Sequence, residues 1–277
     1  MNNDDQIEYW NGKAGETWVL MQDRMDLALT PVTAALLAAA APGAGEAVLD
    51  IGCGAGETTL AADAAVGESG HVIGLDVSAP LLARARARAE ALGSAAEFLA
   101  ADAAQWAEDS GFDLIMSRFG VMFFADPDAA LAHLHGLAAP GGRLVFACWQ
   151  PPAHNLWATL PMTVLEPLLP PQPPADPHAP GPFAFADAAR LARLLEGAGW
   201  RDVSLASLPF AMLIGGGDDP VADAVGFNLK IGPAARLVRD AGIGDAARPL
   251  LAQALGAYLA DGRVALPGAV WLVTARA

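Results

Sequence analysis

Short apolar runs recur along the 277-residue chain, and between most of them the apolar positions fall at helical spacing. The runs are 48–51, 71–76, 96–100, 112–117, 143–149, 202–208 and 269–275. Helical patterns occupy 57–66, 80–92, 103–107, 127–138 and 187–198. Near-continuous apolar strands alternating with helices predict a mostly parallel sheet covered on both faces, an α/β fold. The punctuation agrees. Thr30-Pro31 opens a helix over 31–41, Pro80 starts the next but one, Gly93 stops it, and Asp126-Pro127 opens 127–138. Pro140-Gly141-Gly142 reads as a turn before the fifth run.

The first run ends in the stretch around which the chain is organised, VLDIGCGAGETTL at 48–60. Asp50 lies in the strand end, and Gly52, Gly54 and Gly56 follow at spacings of two before a helix begins. A strand, a glycine turn and a helix form the start of a nucleotide-binding α/β unit, where the backbone must turn tightly and lie close to a ligand. The dinucleotide fingerprint places its last glycine where Glu57 stands. Cys53 occupies a loop position that needs only a small residue; a reactive thiol is the alternative reading. The second run ends in Asp76, near the ~20-residue spacing of a ribose-binding carboxylate, which can accept from both hydroxyls of a cis-diol. The third is followed by Asp102-Ala103, where the carboxylate either caps helix 103–107 or reads a ligand.

The glycine spacing, the two acids, the post-strand stretch FDLIMSRFGVMFFADP (112–127) and the Pro-Gly-Gly turn together resemble the class I S-adenosylmethionine (SAM)-dependent methyltransferases. Residues 45–150 are most similar to the UbiE-like small-molecule group. The resemblance implies a seven-stranded Rossmann-like sheet of order 3-2-1-4-5-7-6, with strand seven antiparallel. It implies SAM as cofactor, held by Trp18, Asp50, Gly52, Cys53, Gly54, Asp76, Val77, Asp102, Ala103 and Ser117. In this family Asp102 would accept from the adenine amino group, the Ala103 N–H would donate to the ring, and carbonyls near Ser117 would hold the methionine ammonium. No metal is implied. The activity implied is methyl transfer to a small-molecule acceptor of open identity.

Two residues are candidates for catalysis. Arg118 either faces the point of methyl delivery or braces its loop through an ion pair. His154, just past the fifth strand, is the candidate base, with a bystander loop histidine as the alternative. Residues 1–26, with Tyr9, Trp10 and Trp18, read either as a helix on the core edge or as a flap over the cofactor. Between 150 and 182 the chain is proline-rich, with helix around 158–168, and reads as a substrate-side cover. Residues 218–262 read as a helical insertion between strands six and seven, within one domain spanning 1–277.

Composition narrows the partners. Hydrophobic residues make up 54%, much of it alanine, and the longest apolar span, 27–41, is too short for a bilayer. With no signal-peptide pattern, the expectation is a soluble, cytoplasmic protein without membrane partners. A net charge of −15 repels nucleic acid, and Arg84, Arg86 and Arg88, spaced by two on a helix, form no single patch. Cys53 and Cys148 give neither a disulfide framework nor zinc spacing. His133 and His135 cannot share a metal and read as surface residues. Two other classes stay open, an NAD-dependent oxidoreductase, which shares the glycine turn and ribose acid, and a non-catalytic SAM-binding protein.

Overall fold

The computed structural model describes residues 3–107, 111–171 and 176–277. Its central sheet has the order β3-β2-β1-β4-β5-β8-β6, with a two-residue strand β7 pairing only with β8. The strands are β1 (Ala47–Ile51), β2 (His71–Asp76), β3 (Glu97–Ala100), β4 (Phe112–Arg118), β5 (Ala138–Trp149), β6 (Arg201–Gly215), β7 (Leu259–Ala260) and β8 (Arg263–Arg276). Strands β1 to β5 pair in parallel, and β8 runs antiparallel between β5 and β6. The order expected for the seven long strands is the one observed, with β8 as the expected seventh. Four of the five β1 residues and four of the six in β2 are buried, as strands covered on both faces require.

Several boundaries differ from expectation. The expected turn at 140–142 is absorbed into β5 as a register irregularity opposite 112–114. Strands β6 and β8 are about twice the predicted length because they continue as a hairpin-like ribbon past the main sheet. Residues 101–107 form a turn-rich segment and not the predicted helix. Pro173 and Pro174, part of the predicted proline-rich loop, lie outside the described residues.

The largest difference is at the N-terminus. Residues 3–26 are helix α1 (Asn3–Asn11) and the first half of the 28-residue helix α2 (Lys13–Ala40). Pro31, read as a helix start, lies inside α2. A proline there removes one backbone hydrogen bond and costs ~3 kcal/mol. Burial of Ala28, Leu29, Val32 and Leu36 against the sheet offsets it.

Helices α3 (Glu57–Val66) and α4 (Ala79–Leu92) link the first strands, with Gly93 in the left-handed conformation ending α4. Helices α5 (Pro127–Leu137) and α7 (Ala188–Gly197) are capped by Asp126 and Asp187, which accept from Ala129 and Arg190 N–H. His133 and His135 on α5 are half-buried and not surface residues. His133 bonds the Trp106 carbonyl at 2.7 Å, and His135 packs edge-on to Trp200. Helix α6 (Leu156–Leu165) follows β5, and α8 (Pro220–Asn228), α9 (Pro233–Ala241) and α10 (Gly244–Gly256) fill the stretch between β6 and β8. Arg24 of α2 pairs with Asp223 of α8 at 2.5 Å and donates to the Ile214 carbonyl, tying the N-terminal helix to the insertion.

Asn155 holds the far edge of the sheet. Fully buried, it donates to the carbonyls of Gln150, Pro151 and Ala269 and accepts from the Ala269 N–H and the Trp157 indole. It thus locks the exit of β5 to β8 and sets the start of α6. Asn155→Ala should destabilise the protein by ~2–3 kcal/mol, the cost of orphaned buried groups, read from the shift of the urea unfolding midpoint. A midpoint within error of wild type would show that the edge is held by packing alone.

Candidate functional site

At the carboxyl ends of the strands the chain leaves β1 towards β2 on one side and β4 towards β5 on the other, the switch point at which open α/β sheets bind ligands. Here two glycines meet. A Cβ on Gly52 would lie 2.6 Å from the Gly120 Cα, and one on Gly120 would lie 2.4 Å from the Ile51 carbonyl oxygen. Gly52 also has φ +64°, which favours glycine. The buried Ser117 hydroxyl staples the junction, donating to the Ile51 carbonyl and accepting from the Gly120 N–H. Phe119 takes φ +70°, rare for an aromatic residue, and stacks on Trp149 with centroids 4.5 Å apart.

A cavity of about 460 Å³ opens beside this junction. Of the expected cofactor residues, Trp18, Gly52, Gly54, Asp76, Val77, Asp102 and Ala103 line it. Asp76 ends β2; its carboxylate accepts from the Gly54 and Ser78 N–H groups at 2.8 Å each, so it fixes the glycine loop while standing at the cavity wall. Asp102 accepts from the Ala104 N–H at 3.0 Å, ordering the turn that follows β3. Leu81 and Ala101 supply apolar surface between the two acids. A carboxylate for a diol, a second acid beyond it and apolar walls between them fit the nucleoside of SAM.

Three expected cofactor residues do not line the cavity. Asp50 is fully buried beneath the loop, where one oxygen accepts from the Thr58 and Thr59 hydroxyls at 2.6 Å. The Cys53 side chain is buried, and burial pushes its thiol far above the usual range, so it is a packing residue and not a nucleophile. The Ser117 side chain is spent on the junction. Their sequence positions were legible, but side-chain direction at a strand end depends on which face the tertiary structure covers.

The two catalytic candidates separate. Arg118 lines the cavity, yet its guanidinium is held by Glu57 and Asp26 and donates to Thr33 Oγ1 at 2.7 Å. The ion-pair reading is the one its contacts match. Burial raises the Glu57 pKa, with Asp26 adding to the rise and Arg118 opposing it. His154 is exposed in a 3-10 turn (Pro152–His154) and does not line the cavity. The structure does not bring it to the site. Its neighbour Trp157, three residues on, does line the cavity wall.

The N-terminal segment does reach the site. Tyr9, Trp10 and Trp18 line the cavity, and Trp10 packs edge-on against Trp18 and Phe123. Asn11 clasps the β2–α4 loop, donating to the Val77 carbonyl and accepting from the Ala79 N–H. The far wall comes from elements that carry no motif: Trp149 at the end of β5, Met212 of β6, and Ile231, Gly232 and Arg236 around α9. Of these, Trp149 had a sequence signal, its place at a strand's carboxyl end. Two of the arginines of α4, Arg84 and Arg88, face α2, and Arg86 turns to β3. Arg84 bonds Gln22, Arg86 the Phe98 carbonyl, and Arg88 both Asp26 and the Ala55 carbonyl.

Burial is the main cause that pushes Asp50 up to about 6, against the two threonine hydroxyls and Arg118. The unfolded chain releases this proton near pH 4 and the folded protein near 6, so the folded state binds more protons in between. Stability therefore falls as pH rises from about 4 to 6. In Asp50→Asn that part of the decline should vanish, measured as Tm against pH by thermal denaturation. Parallel curves for variant and wild type would assign the decline elsewhere.

Similar proteins agree with this geometry. Residues 48–142 match the methyltransferase domain family. The chain is 37% identical over 124 residues to a demethylmenaquinone methyltransferase of Thermus thermophilus, covering 44% of this chain and 56% of that one. It is 35% identical over 165 residues to a trans-aconitate 2-methyltransferase of Methylobacterium radiotolerans, covering 56% and 54%. The match thus spans a little over half the length of each relative. The crystal structure of phosphoethanolamine N-methyltransferase 2 of Haemonchus contortus, in complex with SAM, superposes with a TM-score of 0.57 at 15% identity, covering 97% of this chain and 59% of that one, and shares the fold. The family match covers residues 48–142 alone, and the sheet built around that stretch shares the Rossmann-like fold of the methyltransferases.

Proposed function

We propose that the protein transfers the methyl group of SAM to a small-molecule acceptor. The observation that carries this reading is one cavity with two unlike ends. Asp76 and Asp102, at the ends of β2 and β3, stand on one side of the β1–β4 junction, and an aromatic wall of Phe119, Trp149 and Trp157 stands on the other. The first end suits a nucleoside, and the second suits an apolar organic molecule of limited size. Bound between them, SAM would supply a sulfonium methyl whose S–C bond breaks as the acceptor's electron pair bonds the carbon, leaving the pair on sulfur. The relatives named above, both methyltransferases of small molecules by name, support the same reading.

The chain's own part is positional. Asp76 and Asp102 hold the nucleoside, while the Gly52–Gly120 junction lets the backbone approach it. Helix α1 and Trp18 close one side and exclude water, and Phe119 on its strained backbone fixes the ring nearest the junction. Among the described residues lining the cavity, the ionisable side chains are Tyr9, Asp76, Asp102, Arg118 and Arg236. Asp76 accepts from two backbone donors and Arg118 is shared by two carboxylates. The protein's part is then orientation, and an acidic acceptor brings its own nucleophile. Among the described residues, no helix is long and apolar enough to cross a membrane.

SAM and its demethylated product should bind in calorimetry, and Asp76→Ala should weaken both by ~1–3 kcal/mol through the lost acceptor. NADH is the control. Tighter binding of NADH than of SAM would replace this reading with the oxidoreductase one, and unchanged SAM affinity in the variant would remove the ribose role. His154→Ala should leave kcat and its pH profile as in wild type, because the imidazole lies outside the cavity. A loss of tenfold or more, with a flattened profile near neutrality, would return His154 to the chemistry.

A further inference from the structure

The acceptor end of the cavity has a chemistry of its own. Its aromatic rings stack on each other and not at random. Phe119 and Trp149 lie 4.5 Å apart at 11°, Trp149 and Phe210 6.0 Å apart at 24°, and Trp157 and Phe183 5.9 Å apart at 22°. Trp149 and Trp157 join the two sets at 4.7 Å with a tilt of 46°. Phe119, Trp149 and Trp157 line the cavity, and Phe210 and Phe183 pack on the two tryptophans. The rings come from the turn after β4, from β5, from α6, from β6 and from the loop before α7, so their planes are fixed by five separate segments. A rigid wall built from such stacked pairs favours a flat ring that continues an offset stack.

Charge is placed there in one spot. Two cations line the cavity, Arg118 and Arg236. Arg118 is neutralised by Glu57 and Asp26. Arg236 is different. It lies on α9, whose first residues pack on Trp157, and its side chain is largely exposed. Its partner Asp240 stands one helical turn away at 3.4 Å, and the same carboxylate is shared with Arg239 at 3.4 Å. An exposed pair of this kind holds the guanidinium weakly. Two arginines against one aspartate leave α9 locally positive on a chain of net charge −15. In such a field an anion is held only where a local cation receives it, and a guanidinium receives a carboxylate through two parallel hydrogen bonds.

We propose that the acceptor is a flat, apolar ring compound carrying an acidic group, and that Arg236 receives the charge of that group. This deepens the methyl-transfer reading and rests on it. Arg236 is then a specificity residue: it selects and orients the acceptor by the end remote from the reacting atom, while the ring lies along Trp149 and Trp157. A cationic ring compound is the opposite case, drawn by the overall charge and by the aromatic faces but repelled by Arg236.

Calorimetry on the protein saturated with S-adenosylhomocysteine tests this with three probes of one shape, 2-naphthoate, 2-naphthamide and 2-naphthylmethylammonium. Naphthoate should bind about tenfold or more tighter than the amide, and the ammonium weakest. Arg236→Gln should bring naphthoate down to the affinity of the amide, and Arg236→Lys should keep part of the difference. Equal binding of acid and amide, preference for the ammonium, or an advantage that survives Arg236→Gln would each overturn the proposal. Failure of all three probes to bind the saturated protein would overturn it too, while the cofactor reading stands. Failure of S-adenosylhomocysteine itself to bind would sink the methyl-transfer reading, and this inference with it.

Discussion

The structure depends on the contact between Gly52 and Gly120, where the tips of two parallel neighbours, β1 and β4, come together without room for a Cβ on either side. Because the chain leaves the two strands in opposite directions, a crevice must form beside them. The closeness of the contact decides its shape. A side chain at Gly52 would push the β4 turn away and swing Phe119 out of its stack on Trp149. The positive φ of Phe119 is of the kind that costs ~1–3 kcal/mol, and it persists because the Phe119 N–H bonds the Ala147 carbonyl and its ring is pinned against β5. Strain at the junction is thus tied to the place where the two halves of the cavity meet.

The second constraint is electrical. Arg118 leaves the end of β4 and meets Glu57, from the first turn of α3, and Asp26, from the middle of α2. Asp26 also pairs with Arg88 of α4 and accepts from Gln22. Two largely buried arginines and two acids therefore join three helices and one strand behind the cavity. Such a cluster adds little net stability, since desolvation offsets most of the attraction, but breaking it strands a buried charge. Its effect is on position: it sets where along the sheet α2 lies, and α2 carries Trp18 and Met25 to the cavity wall. Glu57, the residue that departs from the dinucleotide glycine pattern, is what makes the cluster possible.

Much of this was legible in the sequence because the information is local. The glycine loop, the acids ending β2 and following β3 and the helix start at Asp126-Pro127 all rest on short spacings that the backbone enforces, and the sheet order came with the resemblance that those spacings carry. What was not legible depends on distant partners. Pro31 ends helices in isolation, and only the sheet beneath α2 offsets its cost. Asp102 looked like the cap of a helix 103–107, yet the segment stays a turn. His154 attracted attention as an imidazole just past a strand's carboxyl end, whereas Asn155 beside it has no chemistry to advertise until β8 arrives with Ala269. Arg236 stands some 180 residues beyond the glycine loop and belongs to the site only because β6 and β8 carry α9 back over β5.

This division in sequence is also a division of labour. The end proposed for the nucleoside is built mainly by residues 52–103, whose backbone hydrogen bonds leave little room for substitution: Asp76 alone fixes two loops. The end proposed for the acceptor is assembled from β5, α6, β6 and the loop before α7 by ring stacking, each pair worth ~0.5–1.5 kcal/mol and each open to replacement by another apolar side chain. On that reading a change at Trp157 or Arg236 reshapes the second end without reaching Asp76 or Gly52, since the β1–β4 junction stands between them in the sheet. The family match ends at residue 142, seven residues short of Trp149, so the part of the chain that matches the methyltransferase domain is the part that carries Asp76 and Asp102, the residues proposed to hold the nucleoside. The acceptor wall lies beyond it. That is why the chemistry of the acceptor has to be read from the rings and the one loosely held guanidinium, and not from likeness.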